Sequence, residues 1–144
     1  MTEKASNKQK QIKTIIGIAV GALVMILVQQ FVFKTPSFDK QMMQAASEIN
    51  KVCPIMVDQE TRLDNSIALP DNVFQYNYTL VNMEKNSINI FELEEYLKPI
   101  ILNTIRTNPD LKVFKDNETT MLYNYKDKNS EYLFKLSFTA DQYK

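Results

Sequence analysis

Twenty residues, Thr14–Phe33, carry no charge, and Lys4, Lys8, Lys10 and Lys13 precede them. At about 1.5 Å of helical rise per residue the run spans about 30 Å, the thickness of a bilayer's hydrocarbon core. Its apolar residues (Ile15, Ile16, Ile18, Val20, Leu23 to Val28) point all round the helix, whereas a surface helix keeps a polar face. The run therefore predicts a transmembrane helix. Four lysines against Glu3 in the first thirteen residues place the N-terminus in the cytoplasm by the positive-inside rule. The remainder is then expected on the far side, periplasmic or extracellular.

A cleaved signal peptide shares the basic start and the apolar run. Against cleavage stand the length of the run and the lack of a small-residue pair between Gln29 and Thr35. Gly17 and Gly21 stand four apart, a spacing that lets two membrane helices approach closely and form a homodimer. Glycine is also simply common in membrane helices. The expected organisation is a cytoplasmic tail at 1–13, an anchor at 14–33, a linker at 34–36 and an outer domain at 37–144.

Composition narrows the chemistry of that outer domain. With the tail set aside, 13 basic residues face 16 acidic ones and form no run, so nucleic acid is not an expected partner. The chain has no histidine and one cysteine, Cys53, which removes histidine-based triads, the usual zinc sites and an intramolecular disulfide. Both glycines lie in the apolar run, so no glycine-rich phosphate loop is present. No cofactor and no metal is expected.

Periodicity gives the elements. Ser37 as N-cap, then Phe38, Met42, Ala45/Ala46, Ile49 and Val52 at three-to-four spacing, predict a helix over 37–51 stopped by Pro54. Ile55–Val57 can start a strand. The stretch 58–72 reads as turn-rich, with Ser66–Leu69 extended and Pro70-Asp71-Asn72 a turn. Val73–Met83 alternates as a strand, with Phe74, Tyr76, Tyr78 and Leu80 on one face. Asn89 and Glu92 mark a capping box opening a helix over 90–107, which Pro99 is expected to kink or split. Leu111–Lys115 fits an edge strand or a helical turn. Residues 119–126 and 131–139 alternate around 127–130 as a hairpin.

The order suggests an α+β domain, an antiparallel sheet with two helices on one face. Phe74, Tyr76, Tyr78, Tyr123, Tyr125, Tyr132, Phe134 and Phe138 are expected to make most of its core.

The densest polar cluster is Asp58, Glu60, Arg62 and Asp64, followed by Tyr76 and Tyr78. If 58–64 is extended, the four charged side chains share one face. They then offer acid–base groups beside an anion-holding arginine, oxygen ligands for a hard cation, or a recognition surface for a protein partner. A purely structural role, with Arg62 paired to an acid, competes with all three. Tyr76 and Tyr78 read as core or as a ligand platform.

Cys53–Asn65 with its Val57-Asp58-x-x-Thr61-Arg62-Leu63-Asp64-Asn65 run, then Tyr76–Asn82 and Asn103–Pro109, resembles small exported or membrane-anchored bacterial proteins of no agreed activity. The resemblance covers about residues 37–140 and implies a compartment, with Asp58, Thr61–Asp64, Tyr76 and Tyr78 as its marked positions. The expected function is a membrane-anchored interaction module in an envelope or secretion assembly. Two alternatives stand beside it: an inhibitor or immunity-type protein at the membrane, and a hydrolase built on Asp58, Asp64 and Tyr76.

Overall fold

The computed structural model describes residues 37–144. The expected tail, anchor, linker and Gly17/Gly21 contact lie outside the described residues. Among those described, no helix is long and apolar enough to cross a membrane. Helix α1 (Phe38–Val52) leads into strands β1 (Ile55–Met56), β2 (Thr61–Leu69) and β3 (Val73–Leu80). Helix α2 (Ile90–Thr107) and the short α3 (Lys112–Asp116) connect to the hairpin β4 (Thr120–Lys126) and β5 (Tyr132–Phe138), and a last turn, α4 (Ala140–Tyr143), closes the chain.

The five strands lie in sequence order. All neighbours are antiparallel except β3 and β4, which run parallel. The sheet is therefore mixed, where the pattern of strands had suggested an antiparallel one. The reason is the connection: β3 and β4 are joined through a helix, and a crossover of that length returns the chain in the same direction. The α+β class and the two longer helices stand as expected, and the Leu111–Lys115 segment is helical.

Strand β2 is the largest departure from the sequence reading. Its nine residues pair with β1 and β3, but the register shifts between Leu63 and Asn65. This bulge puts its buried residues, Leu63 and Ser66, three apart instead of two. The period-two signature is lost in the sequence for that reason. Helix α1 packs on this strand through Met42 and Ala46. Asn50 clasps it: Asn50 Nδ2 donates to Ser66 O at 2.9 Å, and Ser66 N donates to Asn50 Oδ1 at 2.7 Å.

Ser37 sits at the N-cap of α1, with its carbonyl accepting from Gln41 N–H. At α2 the cap is a side chain, Asn89 Oδ1 accepting from Glu92 N–H at 3.3 Å. Pro99 does not split α2, which runs unbroken through it. Pro99 and Glu95, the residue whose carbonyl loses its intrahelical donor, are both exposed, so water can serve that carbonyl.

A second bulge, between Tyr125 and Lys126, turns both Leu133 and Phe134 inward and leaves Tyr132 outside, 53% exposed. Tyr132 is thus not part of the core. Of the other expected aromatic residues, Phe74 and Phe138 are fully buried, with Tyr123, Tyr125 and Phe134 close behind, while Tyr76 and Tyr78 are only partly buried against that core. At the far end of the sheet, Asp127 accepts backbone N–H bonds from Lys85, Asn129 and Glu131 at 2.8–3.0 Å, which ties the β4–β5 turn to the approach of α2.

Candidate functional site: a tyrosine slot on the helix side of the sheet

The six residues singled out in the sequence do not form one site. Asp58 lies in the turn between β1 and β2. Its Oδ1 accepts from the N–H groups of Glu60 and Thr61, both at 2.8 Å, and Glu60 is exposed beside it. Only Arg62 and Asp64 meet as an ion pair, Nε to Oδ1 at 2.6 Å. The other oxygen of Asp64 accepts from Thr79 Oγ1 at 2.6 Å. Arg62 pairs in register with Thr79, so this group sits on the outer face of the sheet, away from the helices. Tyr76 and Tyr78 stand opposite Ser66 and Leu63, on the helix side. The sheet separates Asp64 from Tyr76, and the convergence that a carboxylate–tyrosine hydrolase needs is not formed. Among the described residues no three Cys, Asp or Glu side chains gather as a metal-holding group.

The outer face carries a feature that the sequence reading missed, a chain of side-chain amides across three strands. Asn77 Nδ2 donates to Asn65 Oδ1 at 2.7 Å on β2. Asn77 Oδ1 in turn accepts from Gln75 Nε2 at 2.8 Å and from Asn124 Nδ2 at 3.1 Å on β4. Each amide is engaged, so this face is bound up with itself.

The helix side differs. Helix α1 covers β2 and α2 lies against β5, which leaves β3 and β4 between them. Under the helices β2 and β5 are sealed: Leu63, Ser66, Phe134, Leu136 and Phe138 are buried. On the central strand the seal fails at two positions. Phe74 and Leu80 are buried, but Tyr76 and Tyr78 between them are only half-buried, although a central strand is where cover is expected to be best. A slot therefore opens over the middle of β3.

Four tyrosines line it, Tyr76 and Tyr78 partly exposed and Tyr123 and Tyr125 buried beside them. In the parallel register Tyr76 stands beside Tyr123, and Tyr78 beside Tyr125. Their rings form a stacked row. Tyr76 and Tyr78 are 6.3 Å apart, Tyr78 and Tyr123 are parallel within 3° at 6.2 Å, and Tyr78 and Tyr125 lie at 5.3 Å. The row continues as phenylalanine where the roof closes: Phe74 packs under Phe114 of α3 at 4.9 Å, and Phe38 of α1 meets Phe114 edge-on. Hydroxyls appear only where the helices part.

The hydroxyls decide what the slot can do. Among the described residues every side-chain oxygen or nitrogen shut off from solvent has a hydrogen-bond partner. Tyr143 follows that rule, donating to Thr119 O at 2.8 Å. The hydroxyls of Tyr76, Tyr78, Tyr123 and Tyr125 bond to no protein group, so each must reach solvent through the slot. Burial pushes all four phenols above their ordinary pKa. Neighbouring phenols add to the effect at Tyr78 and Tyr123, and the Asp58 carboxylate adds to it at Tyr125. The slot thus presents a row of neutral O–H donors at any physiological pH. At its rim the Cys53 thiol is half-buried, and burial followed by the Asp64 charge holds it protonated, the opposite of an activated nucleophile.

Residues 37–134 match the model of a family described as a domain of unknown function, DUF8479. The chain belongs to that family. The DUF8479 match begins at the N-cap of α1 and takes in both helices and the tyrosine row. The resemblance to an uncharacterised family stands on it. No curated protein matches the chain. Among solved structures it is similar to one described as a putative secreted protein from Pseudomonas aeruginosa, with a TM-score of 0.62 and 9% identity over 77% of this chain and 100% of that one. At that identity the likeness speaks for the fold alone.

Proposed function

We propose that this DUF8479 protein is a binding module that works outside the cytoplasm, tethered to the membrane by residues 14–33, and that it grips a protein partner through the tyrosine slot. The observation that carries the reading is the row of four phenol hydroxyls with no partner in the protein. A domain that needed them only as core would gain by carrying phenylalanine there, as it does at position 74. The uncharged run behind four lysines supports the tether, and the description of the structurally similar protein as secreted fits an extracytoplasmic place.

The test uses the single cysteine. Cys53 lies two residues before Ile55, whose partner Leu63 stands opposite Tyr78, so the thiol is near that end of the row. A thiol-linked photocrosslinker on Cys53 of the full chain in spheroplasts is expected to yield a discrete protein adduct. The same reagent on Arg62→Cys in a Cys53→Ser background, on the outer face, is expected to yield none. An adduct from Arg62→Cys alone would overturn the assignment to the slot. For the tether, alkaline extraction is expected to leave the intact chain in the membrane pellet, and release of a shortened chain would refute it.

A further inference from the structure

Taking the slot as the binding site, as the proposed function does, its chemistry also restricts what can enter. Each neutral hydroxyl can donate a hydrogen bond, so a ligand with a row of acceptors fits them and need not bring an anion. The charged side chain that bears on the quartet among the described residues is the carboxylate of Asp58, at Tyr125. Its place follows from the chain: Asp58 holds the N–H of Thr61, and Thr61 pairs with Leu80 where β3 ends. One end of the slot is therefore acidic. The other is apolar, closed by Phe74, Phe114 and Phe38.

Spacing narrows the choice further. An extended peptide repeats its side-on carbonyls every second residue, at about 6.6 Å. The rings of Tyr76 and Tyr78 are 6.3 Å apart along the same strand. Ile49 on α1 and Leu93 and Leu97 on α2 are partly buried against the same core, so both flanking helices keep some apolar surface open. We propose that the slot takes a short extended peptide segment lying along β3, with alternate carbonyls on Tyr76 and Tyr78 and a lysine or arginine side chain at the Asp58 end. Recognition is through tyrosine tips from below; the sheet edges take no part.

The experiment is selection of a random heptapeptide library on the full chain in nanodiscs, followed by affinity measurements with synthetic peptides. The selected peptides are expected to share one basic position. Tyr78→Phe should weaken them about tenfold, the worth of one good hydrogen bond. Asp58→Asn, which keeps an oxygen for the Thr61 cap, should remove the preference for a basic residue. Melting curves identify any variant that merely unfolds, and Tyr76→Phe then provides an independent second reading. Peptides indifferent to all three substitutions would overturn the inference. So would a failed selection. If the Cys53 crosslink still gives a protein adduct in that case, the slot holds a folded partner surface and not a short extended segment, and the binding reading survives. If neither gives a product, both fall.

Discussion

The two faces of the sheet solve the same problem in opposite ways. Both present polar side chains from β3 and β4. On the outer face Asn65, Gln75, Asn77 and Asn124, all partly exposed, are tied to one another, and Arg62 and Asp64 form a second closed group with the buried Thr79. On the helix side, where an unsatisfied group costs more, four phenols are left without protein partners. Open phenols on the helix side, beside closed polar groups on the outer face, support the proposed binding role of the helix side. Wet surfaces do not need ordering; a recognition site does.

The widest contrast is expected at alkaline pH. A phenol whose pKa is raised in the fold keeps its proton after the unfolded chain, at about 10, has lost its own. The quartet's contribution is thus complete below about pH 10 and falls as pH rises above it, by up to about tenfold in the folding constant per pH unit for each phenol. Chemical denaturation between pH 9 and 11.5 should show that decline. Tyr76→Phe/Tyr78→Phe should flatten it, and Asn77→Ala should leave its slope alone.

Next in size is Asn50→Ala, which strips the buried backbone of Ser66 of both bonds to α1. A loss of about 2–3 kcal/mol is expected from urea unfolding. Asn77→Ala removes the hub of the outer amide chain, where water can replace much of what is lost, and should cost about 1 kcal/mol. The smallest effects sharpen the comparison most. Tyr143→Phe, losing its bond to Thr119, should cost about 1 kcal/mol, while Tyr78→Phe should change stability by less than about 0.5 kcal/mol. A Tyr78→Phe cost as large as that of Tyr143→Phe would mean that the hydroxyl is structural, and the contrast between the faces would collapse.

Much of this was legible in the sequence wherever a period survived. Helices α1 and α2, strand β3 and the β4–β5 hairpin follow from apolar spacing, and Tyr76 and Tyr78 were marked from the sequence as a pair sharing one face. What escaped was written in departures from a period. The bulge at Leu63/Asn65 hid β2, and with it the fact that Asp64 and Tyr76 lie on opposite sides of the sheet. The bulge at Tyr125/Lys126 expelled Tyr132. The parallel pairing of β3 with β4 is set by the crossover, which no local pattern records, and without it Tyr123 and Tyr125 cannot be seen to extend the same row. The amide chain on the outer face was hidden likewise, since its members come from residues 65 to 124.

The crossover also governs the order in which the domain can be built. Strand β3 is central, yet one of its two neighbours is β4, which the chain delivers some forty residues later. Until Thr120–Lys126 arrives, the meander β1–β3 ends in a bare edge lined with Phe74, Tyr76 and Tyr78. Parallel pairings across such a separation form late because loop closure must come first. A chain emerging from its N-terminus therefore carries a sticky, half-made sheet while the roughly forty residues between β3 and β4 follow. A chain truncated before residue 120 is expected to stop there and to sediment as a precipitate on expression, where a smaller domain would stay in the supernatant.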